Sequence, residues 1–205
     1  GMGLVSQVFK GKTLERLKGN MAVGHTRYST TGSSHHRNSQ PLTVDCSKGQ
    51  IAIAHNANLT NAAQLREELE LGGSIFQTTV DSEIILHLMA RPSNGSDNNL
   101  VKSLQRIQGA YSLVIMTENE LIGVRDPHGF RPLSIGKLDG AYVLSSETCA
   151  FDLIQAEFVR DVEPGEIVII NDDGIQSINA FPMHQRKAFC IFEYVYFSRP
   201  DSIID

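Results

Sequence analysis

The sequence has 205 residues, 41% hydrophobic and 20% charged, with a formal net charge of −5 and a pI near 5.8. That composition suits one well-buried globular domain rather than a disordered chain. The acidic balance, with no run of Lys and Arg, argues against nucleic-acid binding, and no apolar segment has the length to span a bilayer.

The chain starts "GMGLVSQVF", without the basic and apolar leader of a signal peptide and with Met at position 2. A first strand-like run, "MAVGH" (21–25), leads into "GHTRYSTTG". There Arg27 is followed by hydroxyl-bearing residues and Gly32. A guanidinium so placed can grip a carboxylate through two parallel bonds, with Thr30 and Thr31 adding hydrogen bonds; pairing with a nearby Asp or Glu is the plainer reading. "QIAIAH" (50–55) alternates as a strand does, and then "HNANLTN" turns polar. Asn56 and the backbone N–H of Ala57 offer two donors of the kind an oxyanion hole needs, or else form an ordinary Asn-rich turn.

A helix is expected in "TNAAQLREELELGG", where Leu65 and Leu69 share a face and Gly72-Gly73 stop it. Asp81 precedes the apolar helix "DSEIILHLMARP", either as its N-cap or as an acceptor for a substrate ammonium, and Pro92 closes it. A third helix, "NNLVKSLQRIQG", carries Leu100, Leu104 and Ile107 on one side and ends at Gly109. The runs "AYSLVIMT", "ELIGVRD", "AYVLSSE", "EIVIIND" and "IQSINAF" read as strands, the last two as a hairpin turning at Asp173-Gly174, and a fourth helix passes through "TCAFDLIQAE". After Pro182 a charged patch, "HQRK", gives way to "AFCIFEYVYFSRPDS", expected as a strand leaving the domain.

Strands outnumber helices and few regular βαβ units are visible, so the expected fold class is α+β, stacked antiparallel sheets with helices outside. Cys46, Cys149 and Cys190 are odd in number and far apart, which suits neither a disulfide framework nor a self-contained zinc site. A reducing cytoplasm is the default. Taken together, a carboxylate clamp at Arg27, an ammonium acceptor at Asp81 and an amide donor pair at Asn56 and Ala57 describe a pocket for glutamine or asparagine.

The stretches "GHTRYSTTG", "AHNANLTNA", "TTVDSEIILHL", "RDPHGFRPLSIG", "LSSETCAFD" and "AFCIFEYVYFSRPDS" resemble, in order and over essentially the whole chain, the amidophosphoribosyltransferases. The resemblance implies their class II glutamine amidotransferase (glutaminase) domain, with the N-terminal-nucleophile hydrolase fold, a four-layer αββα sandwich of mainly antiparallel sheets. It implies that Arg27, assisted by Thr30, binds the glutamine α-carboxylate and that Asp81 accepts from the α-ammonium. It also implies an oxyanion hole at Asn56 and Ala57. Residues 1–183 would be that domain without its first strands, and 184–205 the connection into a phosphoribosyltransferase domain that uses Mg2+. The activity implied for the whole is glutamine plus phosphoribosyl pyrophosphate to phosphoribosylamine, opening purine biosynthesis, in a cytoplasmic homo-oligomer.

Two departures from the family pattern carry consequences. Ala57 stands where the family has Gly, at a strain of about 1 kcal/mol if φ is positive there. The family's nucleophile is an N-terminal cysteine with its own amine as base, whereas residue 1 here is Gly, so the 205-residue chain alone is expected to be inactive. No cofactor is expected within these residues. Cys190 corresponds to one ligand of the [4Fe-4S] cluster found in one branch, or is a buried hydrophobe, and Cys149 reads as structural. Two alternatives stay open: a non-catalytic amino-acid-binding module of the same fold, and the glutaminase domain of another class II amidotransferase. "RDPHGFRPL" and "FEYVYFSRPDS" stand against the latter.

Overall fold

Alternating apolar runs separated by Gly and Asp pair up into two antiparallel sheets. The structure is a computed structural model and describes residues 1–27, 34–92, 99–181 and 186–204. The larger sheet has six strands: β1 (Leu42–Cys46), β2 (Gly49–Asn56), β3 (Ser112–Met116), β4 (Leu121–Arg125), β8 (Glu166–Asn171) and β9 (Gly174–Asn179), adjacent in that order. The smaller has β5 (Ser134–Leu138) between β6 (Ala141–Ser145) and β7 (Glu157–Asp161). Two short helices, α1 (Val5–Val8) and α2 (Gly11–Leu14), are exposed at the start of the chain.

Along β2, Ile51 and Ile53 join the core under α3 (Ala62–Leu71), α4 (Ser82–Ala90) and α5 (Asn99–Arg106), with Leu69, Ile84, Leu104 and Leu113. Ala52 and Ala54, equally buried, point the other way, so β2 lies between two layers and keeps small side chains on one face. Leu133, Ile135, Val162 and Val168, with Val114, Tyr142 and Leu144, fill the space between the sheets. Outside the smaller sheet lies α6 (Cys149–Ile154), whose Phe151 sits so close to Gly136 that a Cβ there would come within 2.7 Å of the ring. The order is helices, sheet, sheet, helix, the αββα sandwich the sequence leads one to expect.

Three local expectations change. Residues 21–25 join neither sheet among the described residues, although exposure alternates along 21–27 as in a strand. The aromatic run forms no strand; Glu193–Phe197 is a π-helical turn, closed by Ser198 N–H donating to Glu193 O at 3.1 Å. Its bulky residues do not alternate with polar ones, so the run never carried a period of two. The β8–β9 hairpin turns at Asp172-Asp173, with Asn171 opposite Gly174 and that glycine at φ 111°. Glycine supplies the left-handed residue that completes the turn, one place later than expected. Among the described residues no helix is long and apolar enough to cross a membrane.

Candidate active site

The polar end of β2 is a loop pinned on both sides. Past Leu42, which pairs with Ile53, β1 is no longer available, and His55 N–H donates instead to Gln40 Oε1 at 2.7 Å. Asn56 is the last paired residue, opposite Ser112. Ala57 then takes φ 113°, a region that L-residues rarely occupy. Beyond it, Leu59 N–H donates to Asp81 Oδ2 (2.8 Å) and Thr60 N–H to Gln108 O (2.8 Å). Leu59 also bridges to Gly109, where a Cβ would lie 2.6 Å from Asn58 O. Asn61 clasps the same partner segment, donating to Arg106 O and accepting from Gln108 N–H, both at 2.9 Å.

Between these anchors the N–H of Ala57 makes no hydrogen bond among the described residues. Beside it, Asn56 Oδ1 accepts from Arg131 Nη2 at 3.0 Å, while Nδ2 has no partner among the described residues. Two neighbouring donors thus remain unspent on a loop whose other groups are bonded. Such an arrangement can stabilise negative charge developing on a nearby oxygen without reorganising first.

Asp81 sits at the head of α4 in helical φ and ψ and makes no side-chain cap. Glu83 braces the segment before the helix, its carboxylate accepting from Gln77 N–H (2.7 Å), Thr78 N–H (2.8 Å) and Thr78 Oγ1 (2.6 Å). Asp81 instead ties down the loop through Leu59 and faces His55 Nδ1 at 3.4 Å. Burial works to raise its pKa. The His55 ring and the N–H groups of Leu59 and Ser82 outweigh that and hold the carboxyl below the ordinary value. A carboxylate offers about four lone-pair sites, so three internal partners leave capacity for a fourth.

His25 and Arg27 come to the same neighbourhood from residues 21–27. Burial, then the charges of His55 and Arg27, push His25 down from 6.5 to about 4. Arg27, His25, His55 and Asp81 therefore form one electrostatically connected cluster beside the Asn56 loop. His55 Nε2 is buried without a hydrogen-bond partner among the described residues. Thr30, expected to assist Arg27, lies outside the described residues.

The stretch "RDPHGFRPL" builds the opposite support. Asp126 accepts from His128 N–H and Gly129 N–H (both 2.9 Å) and from Phe130 N–H (3.0 Å), curling residues 126–130 into a tight loop. Burial raises the Asp126 pKa against those bonds. Arg125 locks the loop from beneath, donating to the carbonyls of Arg131 (2.9 Å), Val162 (2.8 Å) and Gly129 (3.0 Å). Arg131 emerges from it and reaches Asn56. Sequence reasoning used this stretch only for its resemblance, and passed over Arg131, Glu83, His25 and His55. The packing of two arginines around one Asp and one Gly was the signal available.

None of the three thiols hydrogen-bonds to this loop. Cys46 faces Gly49 at the far end of β2, seven residue steps or roughly 23 Å from Asn56 at about 3.3 Å per residue. Cys149 is buried at the start of α6, and Cys190 is half-buried three residues before Glu193. Among the described residues no three His, Cys, Asp or Glu side chains gather as metal ligands. An iron–sulfur cluster takes four thiolates and this sequence has three cysteines, so these residues alone do not build that site. A cavity of about 220 Å3 lies elsewhere, bounded by Val23, Val114, Leu121, Tyr142 and Leu144.

Comparison with known proteins identifies the family. A family model described as "Glutamine amidotransferase domain" matches residues 25–152. Amidophosphoribosyltransferase of Bacillus subtilis is 49% identical over 207 residues, covering 100% of this chain and 43% of that protein. Its namesake in Synechocystis is 51% identical over 211 residues, again 100% of this chain and 42% of that protein. The solved B. subtilis glutamine phosphoribosylpyrophosphate amidotransferase, complexed with ADP and GMP, superposes with a TM-score of 0.91 at 47% identity, over 99% of this chain and 44% of that one. The chain spans less than half the length of these relatives.

Proposed function

This chain belongs to the glutamine amidotransferase domain family, and from that premise we propose that it is the glutamine-hydrolysing half of an amidophosphoribosyltransferase. One observation carries the reading: the unspent donor pair, Asn56 Nδ2 and Ala57 N–H, on a loop pinned by Asp81 and Gly109. In this reading a thiolate attacks the side-chain carbonyl carbon of glutamine and the carbonyl oxygen becomes an oxyanion between the two donors. The N-terminal amine, having taken the thiol proton, passes it to the nitrogen as the C–N bond breaks, ammonia leaves, and water releases glutamate from the thioester. Arg27 grips the α-carboxylate with Thr30, and Asp81 gives its remaining lone pairs to the α-ammonium.

The thiolate is none of Cys46, Cys149 or Cys190. The reading assigns it to an N-terminal cysteine outside these 205 residues. Residues 184–205 lead toward a phosphoribosyltransferase domain, where ammonia meets phosphoribosyl pyrophosphate with Mg2+, in a cytoplasmic homo-oligomer. Matches at 49% and 51% identity over the whole chain to longer proteins named amidophosphoribosyltransferase support the glutaminase assignment and a further domain.

The test is glutamate release from glutamine by the product of the whole reading frame. Asn56→Ala should lower kcat by about 10²–10³-fold, the usual loss when one oxyanion donor is removed. The 205-residue chain alone should release none. Undiminished kcat in Asn56→Ala, or turnover by the short chain that vanishes on replacing an internal cysteine, refutes the reading.

A further inference from the structure

A side-chain amide can serve an oxyanion only if its NH2 end is the end presented. Rotation by half a turn exchanges donor and acceptor at almost no change of shape, so something must select the orientation. In this structure the selector is a cation. Arg131 Nη2 lies 3.0 Å from Asn56 Oδ1, and a guanidinium has five donors and no acceptor. The flipped amide would set N–H against N–H.

Arg131 is itself held from one direction. Its Nε lies 2.7 Å from Glu193 Oε1, with side-chain exposures of 12% and 2%. The two meet as charges, without an aligned N–H···O bond. Phe197 lies under the guanidinium, with its ring centroid 4.2 Å from Cζ, close enough for a cation–π contact. Both partners belong to the π-helical turn Glu193–Phe197. That turn is strapped down further along, where Arg199 N–H and Ser202 Oγ donate to Glu147 Oε2 (both 2.8 Å) and Ile203 N–H to Thr148 Oγ1 (2.7 Å). If the segment lifts, Glu193 and Phe197 leave together, and Arg131 loses its charge partner and its ring face at once.

We infer that Arg131 is a positioning residue that fixes the Asn56 amide with Nδ2 toward the substrate, and that Glu193 and Phe197 hold Arg131 in place. The inference rests on the glutaminase reading for its consequence, while its geometry stands apart from it. Cleavage of glutamine then depends on the docking of residues 193–203.

Two measurements on the intact gene product test it. In steady-state glutaminase assays, Arg131→Lys and Glu193→Gln should lower kcat by about tenfold or more while KM for glutamine stays within about twofold, since a misplaced donor forfeits part of what a deleted one does. In an Asn56→Ala background, Glu193→Gln should lower kcat no further, because its route is already cut. Parental kcat in both single variants, or additive losses in the double variant, overturns the inference. Where Arg131→Lys does not fold, Phe197→Leu replaces it with the same expectation.

The second readout needs no turnover. With asparagine labelled by 15N, the Nδ2 proton signals of Asn56, assigned through Asn56→Ala, should shift and exchange faster with water in Glu193→Gln than in the parent. Unmoved signals overturn the inference whatever the kinetics. Shifted signals in a protein whose kcat ignores Asn56→Ala would uphold the positioning and fail only the glutaminase reading.

Discussion

Replacing Ala57 with glycine should make the protein more stable, and the gain can be worked from the loop itself. At φ 113° an alanine carries backbone strain of about 1–3 kcal/mol. Glycine relieves it and returns about 0.4–1 kcal/mol through the greater freedom of the unfolded chain. The lost methyl is only partly buried, which subtracts roughly 0.4 kcal/mol, half of a fully buried group. The balance runs from about zero to a net stabilisation of about 2 kcal/mol, centred near 1 kcal/mol. For a chain of this size that amounts to a rise in Tm of a few degrees, at about 2–4 °C per kcal/mol. Urea unfolding should show a higher midpoint at unchanged slope. Ala57→Val should move the other way, since a β-branched residue tolerates positive φ still less. If Ala57→Gly is less stable than the parent by about 1 kcal/mol, with the slope unchanged, as glycine is at an unstrained position, the loop is not held at positive φ. The case for a strained, outward-facing N–H at residue 57 then fails with it.

Gly109→Ala should destabilise by about 2 kcal/mol or more in the same assay, because φ is 118° and the new Cβ would meet the backbone at Asn58 O, 2.6 Å away; parental stability would mean that the Leu59–Gly109 bridge gives way freely. Stability should also fall as pH is lowered from 6.5 toward 4, since His25, with its folded pKa near 4 against 6.5, leaves the unfolded chain binding more protons across that window. The shift sets a ceiling of about 3 kcal/mol, nearer 2 for a ring that keeps some contact with water. His25→Gln should flatten this limb, and an unchanged limb would assign it to other groups. Glutamine binding measured by calorimetry should fall in Arg27→Ala and stay poor in Arg27→Lys, because a point charge cannot reproduce a bidentate fork; equal affinities would make Arg27 a structural arginine.

What could be read from the sequence was what is local. Alternation announced β2, β3, β4 and β8, and Leu65 and Leu69 announced α3, because each signal lies inside one element. The strands β5 and β7 were not legible: "SIGKL" and "EFVRD" are short, and Gly136 and Phe158 find their places only against Phe151 and the bulge between them. Asp81 illustrates a different limit. Its position before an apolar helix matches an N-cap signature, yet it makes no side-chain cap and binds Leu59, 22 residues away, while Glu83 braces the loop before the helix. No propensity distinguishes those two carboxylates, because the choice depends on where the polar end of β2 arrives.

Arg131 marks the far end of the same problem. It lies 75 residues from the amide it orients and reaches it only after Asp126 and Arg125 have curled the intervening loop. Its other partners, Glu193 and Phe197, come from an aromatic run expected as a strand although it carries no period of two. In the fold that run gives up strand pairing, and its turn places one carboxylate and one ring on opposite demands of a single guanidinium. The amide proposed as oxyanion donor is legible at Asn56, but its orientation is decided by residues that only the two sheets and the final turn bring together.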